Sequence, residues 1–159
     1  MEFNFYVKPG FIVNPNEKFV KVREGAKVPE RGSKFAAGYD LSAYLPSEKM
    51  SLYPGEVLKI PSGLAVEIPE GYFGGIYARS GLSTKQGLRP ANCTGIVDSD
   101  YRGEIIVALH NDSREIRTIE HGQRIAQLVI QPYLNVEFEE VDNLEDTERG
   151  DGGFGSSGV

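Results

Sequence analysis

The chain has 159 residues and a mass of 17.5 kDa, which is the usual size of one domain and too short for two ordinary ones. Its net charge of -6 argues against a duplex nucleic-acid binder that relies on a basic surface, and its single cysteine excludes an intrachain disulfide and a multi-cysteine zinc site. No apolar run approaches the roughly 18 residues of a membrane span and no signal peptide is recognisable, so we expect a cytoplasmic protein without nucleic-acid or membrane partners.

Residues 1–18 contain two turn sequences and precede the first clear strand pattern, which predicts an N-terminal extension or an extra strand. Short alternating apolar runs closed by Gly and Pro then predict strands. These runs are 19–23, 57–60, 64–68, 72–77, 104–109, 125–130 and 135–138. No amphipathic stretch of helical length occurs, and the best candidate, 83–86, would form little more than one turn. Many short strands with almost no helix predict an antiparallel sandwich, jelly roll or barrel.

The end of the chain is acidic and then rich in glycine. Seven of the 23 Asp and Glu residues lie in 137–148, a stretch without Lys or Arg. The rest of the chain therefore carries 16 acidic and 17 basic residues and is nearly neutral. Residues 149–158 hold five glycines and one large apolar side chain, Phe154, which is too little to offset the entropy of ordering them. We therefore expect a β domain at 19–148 and a mobile tail at 149–159.

Residues 95–103 place two carboxylates, a phenol and a guanidinium between two apolar strands. One interpretation is a polar hairpin turn, in which Asp, Ser and Gly are common. The other is that Asp98, which follows the apolar pair at 96–97, stands at a strand end in a partly desolvated pocket. A carboxylate held there can orient and deprotonate a water molecule.

Two other stretches have the composition of phosphate-binding segments. Residues 78–83 follow an aromatic strand with an arginine, two hydroxyls and a glycine, but they lack the lysine and the context of a P-loop. The glycine-rich tail has the same ingredients, although a solvated linker explains it equally well. His110 and His121 lack the spacing of metal ligands, and Cys93 is expected to be a buried, inert thiol.

Five segments in this order resemble the motifs of the trimeric dUTPase family. They are AGYDL at 37–41, ARSGL at 78–82, GIVDSDYRG at 95–103, GQRIAQ at 122–127 and RGDGGFGSSG at 149–158. The resemblance extends from about Val20 to the last residue. It implies a jelly-roll-like all-β subunit, a homotrimer with three active sites at subunit interfaces, and hydrolysis of dUTP to dUMP and pyrophosphate with Mg2+. Such an enzyme limits uracil incorporation into DNA and supplies dUMP for dTMP synthesis.

The resemblance also implies roles for individual residues. Asp98 would be the general base that aligns water for in-line attack on the α-phosphorus, and Tyr101 the ring under the deoxyribose that excludes a 2′-hydroxyl. The uracil pocket would be formed by Asn92 and the backbone around Gly95 and Ile96. The phosphates would be held by Arg79, Ser80, Gly81 and Gln127.

In the same family the tail closes over bound nucleotide from another subunit. Its implied phosphate ligands are Arg149, Gly155, Ser156 and Ser157, and Phe154 would cover the uracil. Mg2+ would be held mainly by the triphosphate and by waters, with Asp40 joining through the water network.

Two alternatives belong to neighbouring classes. The homologous dCTP deaminases share the fold and an Arg-Ser stretch but use a glutamate near the hairpin, whereas IVDSDY at 96–101 favours the hydrolase. A dUTPase-like binding module without catalysis is the other alternative, although all the expected catalytic positions are filled.

Overall fold

The structure, a computed structural model, describes residues 18–153 of the chain. Within this range the chain forms twelve β-strands and one short helix, which confirms the predicted all-β class. The elements are β1 (Phe19–Lys21), β2 (Glu30–Arg31), β3 (Tyr39–Ser42), β4 (Lys49–Leu52), β5 (Val57–Pro61), β6 (Leu64–Val66), β7 (Tyr72–Tyr77), α1 (Ser80–Gln86), β8 (Leu88–Pro90), β9 (Gly95–Val97), β10 (Ile106–Asn111), β11 (Arg117–Glu120) and β12 (Arg124–Pro132). No helix among the described residues is long and apolar enough to cross a membrane.

The strands pair in an order that differs from their order along the chain. The largest sheet has five strands in the order β2-β3-β12-β7-β9, and a second sheet has the order β5-β10-β8. The strands β1 and β6 form one two-stranded pair, and β4 and β11 form another. All of these pairings are antiparallel, and the crossovers between sheets give the jelly-roll-like fold that was predicted.

The core lies between the sheets, and β10 contributes alternate residues to it. In β10, Val107, Leu109 and Asn111 are buried while Ile106 is half exposed. The Asn111 amide, fully buried, donates to the carbonyls of Leu52 and Glu115 at 2.9 and 2.8 Å and accepts the backbone N–H of Ser113 at 2.9 Å. These bonds satisfy a polar group that would otherwise destabilise the core.

The sequence located the long strands better than the short ones. The prediction at 72–77 matches β7 residue for residue, and the runs at 19–23, 57–60, 64–68, 104–109 and 125–130 overlap β1, β5, β6, β10 and β12. The strands β2, β3, β4, β8, β9 and β11, of two to four residues each, were missed. The strands β1 and β6 are also only three residues long, but they lie within apolar runs of five residues that the sequence shows. The helix begins at Ser80, three residues before the predicted turn, and ends at Gln86, where Gly87 caps it with a φ of 69°.

The prediction of a strand at 135–138 is wrong. These residues are exposed and unpaired in the described chain, and Phe138 is 98% exposed. A strand needs a neighbour to satisfy its backbone groups, and no other described strand runs beside this segment. The N-terminal extension predicted at 1–18 lies outside the described residues except for Lys18.

Candidate active site

A cavity of about 230 Å³ lies beside the edge strand β9. Its lining brings together all five residues that were predicted for base recognition, sugar recognition and proton transfer, which are Asn92, Gly95, Ile96, Asp98 and Tyr101. The rest of the lining comes from β7, β8, β9, β10 and the end of the 98–105 turn. We call this cavity the hairpin pocket.

Backbone groups of β9 reach the hairpin pocket because Gly95 has no side chain. Gly95 pairs with Ile76 of β7, and a Cβ at Gly95 would lie 3.2 Å from the Ile76 Cβ. The next residue, Ile96, points outward and is 60% exposed, whereas Val97 is buried in the core. This alternation leaves the peptide groups of β9 at the edge of the sheet, where a planar ring can meet their donors and acceptors.

The turn after β9 is held by hydrogen bonds to its own backbone carbonyls. The Tyr101 N–H donates to the Asp98 carbonyl at 3.2 Å, and the Arg102 guanidinium donates to the Ser99 carbonyl at 2.6 Å. The Tyr101 hydroxyl donates to the Glu104 carbonyl at 3.1 Å, so the ring folds back over Gly103. A Cβ at Gly103 would collide with this ring, because the nearest Tyr101 atom would be closer than any normal contact.

The expectation that Asp98 is partly desolvated is wrong for the described chain. Asp98 is exposed, because it stands at the start of a turn that projects beyond an edge strand. Its carboxylate makes no hydrogen bond to residues 18–153. In a single copy of the chain Asp98 is therefore open to solvent.

A second cavity, of about 270 Å³, contains the four residues that were predicted to hold phosphates, and we call it the phosphate pocket. Its lining is Gly32, Ala36, Gly38, Asp40, Arg79, Ser80, Gly81 and Gln127. Small residues of the β2–β3 connection form one wall; the sequence signal for them is the run of small residues at 36–38. A Cβ at Gly81 would point into open space, so nothing in the described chain requires glycine there.

Gln127 fixes the back of the phosphate pocket. Its side-chain amide donates to the Ala78 carbonyl at 2.9 Å, and a Cβ at Gly38 would lie only 2.5 Å from its side-chain oxygen. Any larger residue at position 38 would therefore force the Gln127 side chain to shift from this place. The pairing of Gln127 with Tyr77 across β12 and β7 explains why two distant motifs meet here.

Asp40 joins two arginines at the rim of the phosphate pocket. It accepts from Arg79 Nε at 2.7 Å and from Arg124 Nη1 at 3.1 Å. Two cations share one carboxylate, so the cluster keeps a net positive charge that favours an anion. Arg124 was not singled out in the sequence, although it lies within the fourth motif. The ion pairs orient Arg79, and the role of Asp40 in a metal-water network stays a prediction.

The two pockets are far apart within one chain. Gly74 of β7 pairs with Val97, next to Asp98, and Arg79 lies five residues further along the same direction. At about 3.3 Å per residue, the five residues from Gly74 to Arg79 span about 17 Å. Since β9 runs antiparallel to β7, Asp98 lies still further from Arg79. The two cavities share no lining residue.

The described part of the tail, residues 149–153, lines neither pocket. Arg149 is exposed, and its guanidinium donates to the Gly152 carbonyl at 2.8 Å, a local contact. The other predicted tail ligands lie outside the described residues; they are Phe154, Gly155, Ser156 and Ser157.

Cys93 contradicts the prediction of a buried thiol. It is exposed and has a φ of 61°, because the tight turn between β8 and β9 directs it outward. Among residues 18–153, no three His, Cys, Asp or Glu side chains are grouped so that they could ligate one metal ion.

Comparison with protein families gives a match to dUTPase over residues 24–158. The deoxyuridine 5'-triphosphate nucleotidohydrolase of Desulfitobacterium hafniense is 46% identical over 142 residues, which are 89% of this chain and 93% of that protein. The protein of the same name from Rhizobium etli is 47% identical over 137 residues, 86% of this chain and 88% of its own length.

Solved structures of dUTPases are also similar to this chain. A variant of the Staphylococcus bacteriophage 80alpha dUTPase with dUpNHpp has a TM-score of 0.80 at 34% identity, and the match covers 92% of this chain and all of that one. A variant of the dUTPase from phage phi11 of S. aureus, described with a structural Mg(II) ion, has a TM-score of 0.71 at 31% identity. That match covers 82% of this chain and 99% of the phage protein.

Proposed function

The chain belongs to the dUTPase family and is a dUTP diphosphatase, and we propose that it forms dUMP and pyrophosphate by attack of an Asp98-activated water on the α-phosphorus of dUTP. The observation that carries the proposal is the meeting of Asn92, Gly95, Ile96, Asp98 and Tyr101 in one cavity. In a cell this reaction limits uracil incorporation into DNA and supplies dUMP. We place the enzyme in the cytoplasm.

Base recognition uses the backbone of β9. Fixed N–H and C=O groups around Gly95 and Ile96, with the Asn92 amide, match the acceptors and the donor on the uracil edge. A cytosine amino group would meet a donor and would be rejected. Tyr101 lies under the deoxyribose, and its ring leaves no room for a 2′-hydroxyl.

Proton transfer needs one carboxylate in this reaction. Asp98 takes a proton from water as the water attacks the α-phosphorus, and pyrophosphate leaves in line without a covalent intermediate. Positioning and charge neutralisation then supply most of the barrier reduction. Arg79, Ser80, Gly81 and Gln127 hold the phosphates.

Each active site is built from more than one chain. The separation of about 17 Å along β7 supports this, because a triphosphate is much shorter than that distance. One nucleotide held at Arg79 therefore meets the Asp98 of another copy in a homotrimer. Contact with that copy and with the nucleotide supplies the desolvation that the exposed Asp98 of the single chain lacks.

We propose that the chain has three parts with different roles. Residues 19–148 form the β domain, 1–18 are an N-terminal extension, and 149–159 close over the nucleotide. Arg149, Gly155, Ser156 and Ser157 grip the β and γ phosphates, and Phe154 covers the uracil.

Mg2+ is the proposed cofactor, and the donor set of the chain fits an ion that arrives with the triphosphate. The one acid among the described residues that line the phosphate pocket is Asp40, whose oxygens are already engaged by Arg79 and Arg124. At such a site Mg2+ would be bound by phosphate oxygens and water molecules, which it prefers as ligands. Asp40 would contact the ion through a water molecule. When bound, Mg2+ neutralises charge on the phosphates.

A substrate panel tests the proposed function. Pyrophosphate release is expected from dUTP in the presence of Mg2+, with far less from the other deoxynucleoside triphosphates and from UTP, and with a large loss after chelation. The measurement is a pyrophosphate assay across all substrates with and without Mg2+. Release of ammonia from dCTP, or the absence of pyrophosphate release from dUTP, would overturn the proposal.

Mixed assemblies test the shared site. Arg79→Gln and Asp98→Asn are each expected to be nearly inactive, but co-refolding the two at equal amounts should restore activity in about a quarter of the sites, since one site draws its arginine and its base from different chains. The measurement is dUTP turnover of the mixture. Activity no higher than that of the separate variants would contradict the shared site.

A further inference from the structure

A bidentate ion pair holds the end of the turn that carries Asp98 and Tyr101. Arg23 Nε donates to Glu104 Oε1 at 2.7 Å and Arg23 Nη2 donates to Glu104 Oε2 at 2.8 Å. The two residues are 81 positions apart in the sequence. Glu104 lines the hairpin pocket, and its side chain is only 15% exposed.

The same carboxylate is tied to the β5–β6 hairpin. The Gly63 N–H donates to Glu104 Oε1 at 2.8 Å. On either side, the backbone of Ile105 bonds to the same hairpin, donating to the Leu64 carbonyl at 2.8 Å and accepting from the Ser62 N–H at 3.0 Å. The turn is therefore fixed to the core at Glu104 and Ile105, whereas residues 98–103 project from the sheet edge.

The position of the Tyr101 ring depends on this anchor. Its hydroxyl donates to the carbonyl of Glu104 at 3.1 Å, the residue whose side chain Arg23 holds. The ring packs over Gly103, which lies between Tyr101 and Glu104 in the sequence. A displacement of the Glu104 backbone would therefore move the Tyr101 ring that is bonded to it.

We propose that Glu104 is a positioning residue which, through its ion pair with Arg23, fixes the Tyr101 ring and so sets how strongly the enzyme rejects ribonucleotides. This inference rests on the proposed function, because it assigns the specificity of that same site. Glu104 touches neither the sugar nor the phosphates; it acts through the backbone to which Tyr101 is bonded.

The charge state of the pair suits this role. Arg23 and the Gly63 N–H hold the pKa of the Glu104 carboxyl below its ordinary value of 4.5, with the Arg23 hydrogen bond as the largest cause. A carboxyl with a lowered pKa stabilises the fold above its ordinary pKa and loses that contribution as the pH falls through the lowered value. The anchor is therefore fully formed at neutral pH. The planar fork of arginine matches both carboxylate oxygens, which a lysine ammonium cannot do.

The chain offers a matched control pair outside the site. Arg89 and Asp112 also form a two-bond ion pair, in which Arg89 Nη2 donates to Asp112 Oδ1 at 3.2 Å, and Arg89 holds the pKa of the Asp112 carboxyl below its ordinary value. Neither side chain lines the hairpin pocket or the phosphate pocket. Loss of this pair affects stability without touching the turn.

The test measures kcat and KM for dUTP and for UTP at neutral pH in the wild type, Glu104→Gln, Arg23→Lys and Asp112→Asn, with thermal unfolding of each. We expect the ratio of kcat/KM for dUTP over UTP to fall about tenfold in Glu104→Gln, mainly through a higher kcat/KM for UTP, and to fall less in Arg23→Lys. Asp112→Asn should keep the wild-type ratio even if its unfolding temperature drops.

An unchanged ratio in both Glu104→Gln and Arg23→Lys would overturn the inference while leaving dUTP hydrolysis intact. An equal fall in Asp112→Asn would also overturn it, since the effect would then be a general loosening of the fold. A wild type that does not hydrolyse dUTP would instead overturn the proposed function on which the inference rests.

Discussion

Replacing Asp98 by Asn is expected to lower the turnover of dUTP by about 10²- to 10⁴-fold while the fold and nucleotide binding persist. An amide cannot accept a proton from the attacking water. The side chain is exposed and makes no hydrogen bond to residues 18–153, so its replacement removes no contact that stabilises the chain. The measurements are steady-state pyrophosphate release, thermal unfolding and the affinity for a non-hydrolysable dUTP analogue.

Asp100→Asn is the matched control for that prediction. Asp100 lies two residues away in the same exposed turn, carries the same charge and does not line the hairpin pocket. Its replacement should leave most of the turnover. Near-normal turnover in Asp98→Asn, or equal losses in the two variants, would remove Asp98 as the base.

Deleting residues 149–159 is expected to abolish most dUTP hydrolysis and to leave assembly and stability unchanged. The described part of this segment makes only local contacts, such as the bond from Arg149 to Gly152, so its removal takes nothing from the core. The loss should appear in turnover because closure over the nucleotide excludes water and adds phosphate ligands. Turnover, size by light scattering and thermal unfolding give the three readings.

A synthetic peptide of residues 149–159 provides the control for the deletion. At millimolar concentration it should restore part of the activity of the truncated protein, since covalent attachment mainly raises the local concentration of the tail. Normal hydrolysis by the truncated protein would exclude the role of the tail in closure. A truncated protein that unfolds or dissociates would contradict the prediction that the segment is not structural.

Strands that overlap longer apolar runs were predictable, as β7 and β10 show, because such a run is a local property of the sequence. The strand predicted at 135–138 failed for the opposite reason, since alternation alone does not supply a pairing partner. Cys93 and Asp98 follow the same rule: the residue types were read correctly, but their exposure depends on which neighbours cover them.

In the candidate site, too, the sequence predicted some residues and missed others. Every predicted pocket residue from Asn92 to Tyr101 lies in one cavity, because these residues are close in sequence and one turn positions them. The sequence did not identify Arg124 beside Asp40 or Arg23 beside Glu104. Each of those pairs joins segments that strand order brings together, and no local pattern encodes that order.

The amino-acid sequence by itself determined the family, the chemistry and the residue types of each motif, because motif order and turn composition are local properties of the chain. The tertiary structure alone decided that Asp98 and Arg79 lie at opposite ends of β7, in two separate pockets. The physical reason is register: β9 and β12 flank β7 at fixed positions, and those pairings set a separation of about 17 Å that spacing along the chain does not contain.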